Sequence, residues 1–313
     1  MSLPEAVVVF GGSGFIGRNL IEALVELDLN VIGVSLSGSA IPGCASCVAM
    51  DDLAAVGPLP DDAIVVNLAA HRYEPSTFKS SQSEILVRNV ELTTVIYHFC
   101  LERGIGEVRL ASSVAVYPEG LTLLDDSVPV DLNKTPNRSE AFYAWSKRWA
   151  ELCANLYREH HGVNTLTFRL ANPYGPYDST DVNRAHVLSA FVMKALSDLP
   201  EFEIKGSPRV ERDFTFIGDV VEIFLRSLER RDEHKTYNLC TGVNTTIGEL
   251  AENVMRVVGV DKPICYSGSD VSDVTARRAT TARLTADFHF DAYTPLADGL
   301  RQTVSWYRHA LGP

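Results

Sequence analysis

Residues Ala6–Leu20 read AVVVFGGSGFIGRNL, and the order of residue types in this stretch decides the fold. Val7-Val8-Val9-Phe10 is a short β-branched apolar run, the pattern of a strand buried on both faces. Gly11, Gly12, Gly14 and Gly17 follow, and Ile16, Leu20, Ile21 and Leu24 then recur at helical spacing. Strand, glycine turn and helix in that order open a dinucleotide-binding unit, and Gly12-Ser13-Gly14-Phe15-Ile16-Gly17 fits G-x-G-x-x-G literally. The glycines let the chain turn tightly and let a pyrophosphate approach the backbone. The helix beyond offers free N–H groups and positive partial charge to that anion. The glycine pattern alone also suits an ordinary tight turn; its position between strand and helix points to a nucleotide. Gly11, Gly14, Phe15, Ile16, Gly17 and Arg18 are therefore assigned to a cofactor.

Composition narrows the class. The 313 residues accommodate one large α/β domain and a smaller one, and 46% hydrophobic with 22% charged residues is ordinary for a soluble enzyme. No apolar run approaches the ~20 residues of a membrane span. Met1-Ser2-Leu3-Pro4 runs into the first strand without a signal-peptide pattern, so a cytoplasmic protein without membrane contact is expected. The net charge of −12 and the lack of a Lys/Arg-rich run argue against nucleic acid. An anionic ligand must then be held by local donors against the overall field. Most of the six cysteines sit among apolar neighbours, as reduced core residues do. Cys44-Ala-Ser-Cys47 lacks the second pair or nearby histidine of a zinc site, and no metal is expected.

Farther along, Val31–Val34 forms a second strand. In NAD-binding folds an acid near its end holds the ribose 2′-hydroxyl. Here the end reads Ser35-Leu36-Ser37-Gly38-Ser39, which removes the charge that would repel a 2′-phosphate. Ser35, Ser37 and Arg18 suit such a phosphate, so NAD or NADP is expected with the balance toward NADP. Asp51 and Asp52 follow a third short strand and are assigned to the cofactor, with a plain solvated turn as the alternative. Ile64–Ala70 is a fourth strand, whose Leu68, Ala69 and Ala70 let a flat ligand lie against the backbone. Glu84–Glu102 and Ala141–His160 are long amphipathic helices, ended near Gly104 and Gly162. Val108–Ala111, running into Ser112-Ser113, and Val163–Leu170 are further strands. The alternation implies an α/β protein with a doubly wound parallel sheet, its ligands at the carboxyl ends of the strands.

After Ala171 the texture changes. Turn-rich Asn172–Tyr177 leads to a helix over His186–Leu196, and Phe202–Lys205 suggests a strand of a different sheet. A helix is expected over Asp219–Glu229, a strand returning to the main sheet over Thr236–Leu239, a helix over Ile247–Val258 capped by Thr245 or Thr246, and a last helix near Leu296–Tyr307. This gives a dinucleotide-binding domain of residues 1–171 plus 213–240 and a smaller C-terminal α/β substrate domain of residues 172–212 plus 241–313.

The chemistry centres on Tyr143-Ala-Trp-Ser-Lys147, which sets a phenol and an ammonium four apart on one helix face. A free phenol, with a pKa near ~10, is a poor base at neutral pH. A nearby ammonium and an oxidised nicotinamide both favour phenolate. Tyr143 then exchanges a proton with a sugar hydroxyl while hydride moves. Ser113, on a neighbouring strand end, donates a hydrogen bond to the same oxygen. A surface Tyr/Lys pair is the bland alternative, but the pair follows a glycine turn and a strand-end serine pair in order.

With these motifs the sequence resembles, nearly end to end, the extended short-chain dehydrogenase/reductases, the family of nucleotide-sugar epimerases, dehydratases and reductases. The resemblance rests on Gly11-x-x-Gly14-x-x-Gly17, Asn67-Leu-Ala-Ala70, Ser112-Ser113-x-x-Val116-Tyr117, Tyr143-x-x-x-Lys147, Arg169-x-x-Asn172-x-Tyr174-Gly175-Pro176, Arg212-Asp213-Phe214 and Tyr237-Asn238-Leu239. It implies a Rossmann-type first domain holding the nicotinamide cofactor and a second domain closing over a nucleoside-diphosphate sugar. It implies Ser113, Tyr143 and Lys147 as the catalytic triad. Asn172 would touch the sugar nucleotide, and Arg212, helped by Arg277 or Arg278, would pair with its diphosphate, a task suited to the planar guanidinium fork. His71 and Ser113 are assigned to the substrate as well. A surface ion pair between Arg212 and Asp213 is the alternative for that arginine. Family members pair two long helices into a four-helix interface, so a homodimer through Glu84–Glu102 and Ala141–His160 is expected.

Departures from the family pattern narrow the reaction. Sugar 4,6-dehydratases carry Asp and Glu after the triad Ser/Thr, where this chain has Val114 and Ala115, which move no protons. Enzymes resembling GDP-fucose synthase use a cysteine and a histidine to epimerise carbons 3 and 5. His186 matches that histidine, but Ala115 stands at the cysteine position, so His186 is left to bind substrate or to cap a helix. The chemistries that need only triad and cofactor are 4-epimerisation, placed first, and one-way reduction of a 4-keto-sugar. A non-catalytic sensor of cofactor or sugar nucleotide is the reading of another class, and the intact triad argues against it.

Overall fold

A computed structural model describes residues 2–71, 80–137, 140–267 and 276–312. Seven strands among these form one sheet: β1 (Ala6–Phe10), β2 (Asn30–Ser35), β3 (Ser46–Ala49), β4 (Ile64–Asn67), β5 (Glu107–Ser113), β6 (Asn164–Leu170) and β7 (Lys235–Leu239). The order is β7-β6-β5-β4-β1-β2-β3, and every neighbouring pair is parallel. β1 is buried along its whole length, as its continuous apolar run requires, and β6 is equally buried although it alternates Leu and Phe with Thr and Arg. The chain winds from β1 toward β3 on one side and from β4 toward β7 on the other. The crevice beyond the carboxyl ends of β1 and β4 is thus the topological switch point where such sheets bind ligands.

The helices are α1 (Phe15–Glu26), α2 (Gln82–Glu102), α3 (Ala141–His161), α4 (Val187–Leu196), α5 (Ile217–Ser227), α6 (Ile247–Val258), α7 (Ala282–Phe288) and α8 (Leu296–Leu311). α2 and α3 pack along each other, and α1 packs on α5. α3 stops where Gly162 adopts φ 72°, an αL cap that glycine enters without Cβ strain. Thr246 closes α6 with a reciprocal capping box to Glu249, which decides between the two threonines proposed from sequence. As expected, Phe202–Lys205 lies outside the main sheet; it pairs with Ile264–Ser267.

Several boundaries, and one helix, differ from the sequence expectation. β4 ends at Asn67 rather than Ala70, because the Asn67 side-chain oxygen accepts the Ala69 N–H at 3.2 Å and turns the chain. α5 starts two residues before Asp219, whose buried carboxylate is occupied by Thr294 N and Oγ1 at 2.9 and 2.7 Å instead of capping its own helix. α8 runs on to Leu311, and α7 carried no recognised periodicity. No helix among the described residues is long and apolar enough to cross a membrane.

Candidate active site

The glycine turn closes over the end of β1. The N–H groups of Gly11 and Gly12 donate to the Val34 carbonyl at 2.9 and 3.1 Å, tying the turn to β2. Gly11 has φ +81°, and a Cβ there would meet Ala69 N at 2.9 Å; a Cβ on Gly17 would lie 2.2 Å from the Gly11 carbonyl oxygen. Two backbones therefore approach as only glycine permits, beside Leu68, Ala69 and Ala70. α1 begins at Phe15 behind an extended Gly14 with no side-chain cap and no acid in its first turn. Its opening N–H groups are left for an anion. Phe15 is buried, Ile16 half-buried and Arg18 exposed, with the Arg18 guanidinium 5.9 Å from the Tyr177 ring centroid.

At the end of β2, Ser35 is buried and its hydroxyl accepts the Gly38 N–H at 3.1 Å, so it shapes the turn from inside. Ser37 and Ser39 share a hydrogen bond of 2.7 Å on the exposed side. Asp51 and Asp52 lie on an exposed turn beyond β3. The Cys44 thiol, in the β2–β3 connection, is pushed up to about 12 by burial and by Cys47. Among the described residues no three or more His, Cys, Asp or Glu side chains gather as metal ligands.

Across the crevice, α3 carries Tyr143 and Lys147 on one face. Lys147 is buried and its Nζ donates to the Ala111 carbonyl at 2.8 Å; its ammonium lies 5.8 Å from the Tyr143 ring centroid. Two residues on, Ser113 ends β5, and its Oγ accepts the Ala115 N–H at 3.1 Å, which leaves the hydroxyl proton to donate elsewhere. Burial pushes the Lys147 ammonium down to about 8, with Glu151 pulling it back. Glu151 escaped the sequence reading, although its place one further turn along the same face was the available signal. Its carboxylate accepts Ser112 Oγ at 2.6 Å and a bidentate pair from Arg169 at 2.9 and 2.7 Å. Arg169 also donates to the Tyr117 hydroxyl at 2.9 Å, which donates to Asn238 at 2.8 Å. This buried chain ties α3 to the ends of β5, β6 and β7 and fixes the Ser112-Ser113 strand end.

Beyond the sheet, Asn172 adopts φ 33° and its Nδ2 donates to the Asp213 carbonyl at 2.8 Å. Asp213 accepts the N–H groups of Thr241 and Gly242 at 3.0 and 2.7 Å, so the Arg212–Asp213 ion pair weighed from sequence is not its arrangement. Arg212 lies on Glu211–Asp213, antiparallel to Asn244–Thr246. Asn244 donates to the Arg277 carbonyl at 3.1 Å and so links the two arginines. Arg277 reaches the Tyr117 carbonyl at 3.5 Å, and its buried Nε has no partner among the described residues, whereas Arg278 is exposed. Of the two arginines considered, Arg277 therefore joins Arg212.

His186 is the N-cap of α4. Its backbone N–H and Nδ1 meet the buried Asp178 carboxylate at 3.1 and 3.0 Å, and its ring stands 5.9 Å from that of Phe15. The structure thus sets His186 against the glycine turn. His71 follows β4, with its N–H on Asn89 Oδ1 at 2.9 Å. Neither Asn89, which anchors that strand end, nor Asp178 was singled out from sequence.

A family model described as the NAD dependent epimerase/dehydratase family matches residues 7–240. The chain is 31% identical over 232 residues to a dTDP-4-dehydro-6-deoxy-D-allose reductase of a Streptomyces species, covering 74% of this chain and 70% of that one. It is 25% identical to GDP-L-fucose synthase 1 of Arabidopsis thaliana over 225 residues, 70% of this chain and 68% of that one. Its fold superposes with a TM-score of 0.83 on the UDP-glucose 4-epimerase of Thermotoga maritima at 22% identity, covering 98% of this chain and 100% of that one. That family model spans most of the chain, from the glycine turn through the last strand of the main sheet: the chain belongs to the NAD-dependent epimerase/dehydratase family.

Proposed function

We propose that the protein transfers hydride at carbon 4 of a nucleoside-diphosphate sugar, with Tyr143, Lys147 and Ser113 as the triad. Bound NAD(P) supplies or accepts the hydride. In the reducing direction Tyr143 gives its proton to the C4 oxygen, Lys147 stabilises the phenolate left behind, and Ser113 donates a hydrogen bond to the same oxygen. The observation that carries this reading is Lys147 held at the Ala111 carbonyl, two residues before Ser113 and one turn from Tyr143. Residues 1–171 plus 213–240 would hold the cofactor, Gly11 to Arg18 and Leu68 to Ala70 facing it. Residues 172–212 plus 241–313 would hold the sugar nucleotide, with Arg212 and Arg277 on its diphosphate.

Two outcomes share this chemistry. A 4-epimerase oxidises, rotates and re-reduces the sugar without net loss of cofactor; a 4-ketoreductase consumes NADPH. Reduction is favoured by the relative that is 31% identical and by the end of β2, where Ser35–Ser39 offers no carboxylate to repel a 2′-phosphate. The test supplies NADPH with a dTDP-4-keto-6-deoxy sugar, and separately UDP-glucose with NAD. Stoichiometric NADPH loss means reductase; interconversion of two sugars without it means epimerase. Tyr143→Phe should lower either turnover about 10²–10⁴-fold while leaving cofactor affinity unchanged. Undiminished turnover refutes the triad, and cofactor and sugar nucleotide binding without turnover in the wild type returns the chain to the sensor reading.

A homodimer through α2 and α3 fits the exposed Val87, Val95, Phe142, Trp149 and Leu156 and a groove of about 470 Å³ between these helices, lined by Leu86, Val90 and Trp145 among others. Light scattering at micromolar protein tests it, and a monomer overturns it. The six free cysteines suit a reducing cytoplasm.

A further inference from the structure

Glu140 immediately precedes α3 as its N-cap, yet its side chain makes no capping hydrogen bond. The steps from Glu140 to Tyr143, Lys147 and Glu151 are those of one helix face. Lys147 and Glu151 point from that face at the strand ends. That face continues back to Glu140, one turn before Tyr143. Glu140 is half-buried, its N–H is taken by the Asn137 carbonyl at 3.0 Å, and its carboxylate has no hydrogen-bond partner among the described residues. The charges acting on it are Arg212 and Arg277, and Arg277 in turn feels Glu140, Arg212, Tyr117 and Glu119. Arg277 keeps a buried Nε that has no hydrogen-bond partner among the described residues.

An acid beside two guanidinium groups weakens a site for a diphosphate, so its presence calls for another contact. If the arginines take the diphosphate and Tyr143 takes the C4 oxygen, the sugar ring spans the space between them, and Glu140 borders that space. We propose that Glu140 is a specificity-determining residue, accepting hydrogen bonds from hydroxyls of the glycosyl group and rejecting glycosyl groups that carry a carboxylate. This rests on the nucleotide-sugar reading above. Two adjacent hydroxyls match the two oxygens of one carboxylate, whereas a uronate would bring a second negative charge across a sugar ring in a site shielded from bulk water.

The test is calorimetric binding, with cofactor present, of UDP, UDP-glucose and UDP-glucuronate and of the matching dTDP series to the wild type, Glu140→Gln and Glu140→Asp. The wild type should prefer the glucose over the glucuronate compound by about tenfold, and Glu140→Gln should shrink that ratio to about twofold. Glu140→Gln should also bind the bare nucleoside diphosphate severalfold tighter, since a like charge is gone, and the glucose compound more weakly. A merely structural role would weaken both together. Glu140→Asp, which keeps the charge, should keep the rejection of glucuronate. An unchanged ratio in Glu140→Gln overturns the assignment while leaving the hydride-transfer reading intact. Failure of the wild type to bind any of these nucleotide sugars overturns both.

Discussion

The alkaline limb of the pH–rate profile tests the link between Lys147 and Glu151. In the proposed triad Lys147 must be an ammonium to stabilise the Tyr143 phenolate, and burial has pushed it down to about 8, against the pull of Glu151. Turnover should therefore fall above pH 8, about tenfold for each further unit. Glu151→Gln removes the opposing carboxylate. At a helical i,i+4 separation of about 6 Å and an effective dielectric of about 20, that charge contributes about 2.8 kcal/mol, or about two pH units. Arg169 holds both carboxylate oxygens, at 2.9 and 2.7 Å, and offsets part of that field, so a downward shift of about one unit is expected. At pH 8 the charged fraction would drop from about one half to about one tenth, a fivefold loss that nearly disappears at pH 6. The substitution also strips a buried guanidinium of its partner, at a cost of about 3–5 kcal/mol, so circular dichroism must first establish the folded fraction. The assay is kcat/KM against pH for both proteins, with cofactor affinity measured alongside. A folded Glu151→Gln enzyme whose alkaline limb coincides with that of the wild type would refute the coupling.

Three further outcomes follow from the same geometry. Gly17→Ala puts a Cβ 2.2 Å from the Gly11 carbonyl oxygen, so NAD(P)H binding, followed by nicotinamide fluorescence, should weaken at least about tenfold; retained affinity would mean the turn holds no pyrophosphate. Glu107→Ala leaves the fully buried Arg109 without its ion-pair partner at 2.8 Å and frees Asn164 and the Asp232 N–H, so urea denaturation should show a loss of about 3–5 kcal/mol. Because the folded state holds Lys147 near 8 and the unfolded chain near 10.5, unfolding takes up a proton between those values. The wild type should therefore gain up to about 3 kcal/mol of stability relative to Lys147→Met as the pH rises through that window, and a constant difference would show that Lys147 is not so perturbed.

What was legible in the sequence was what short-range patterns encode. β1 and α1 were read within a residue or two because a β-branched run, four glycines and a helical repeat are local signals, and the buried strands followed for the same reason. The misreadings come from side chains whose partners lie far along the chain. Asp219 reads as the start of its helix, yet it lies inside the first turn of α5 and its carboxylate serves Thr294, 75 residues away. Asp213 stands beside Arg212 in sequence, but three hydrogen bonds from Thr241 and Gly242 claim its oxygens, which turns the arginine loose from its neighbour. Arg277, 137 residues beyond Glu140, acts on a carboxylate that no local pattern marks. The glycine turn and the helix behind it form one continuous stretch and can be read from it. The residues proposed for the sugar nucleotide are scattered over most of the chain, and the two- and three-residue strands among them carry no periodicity of their own. The part of the reaction that family members share, moving hydride and proton, therefore lies where sequence is most readable. On the proposed reading, selectivity for the sugar depends on the convergence of Glu140, Arg212 and Arg277, and substitutions there would change the substrate without disturbing any motif.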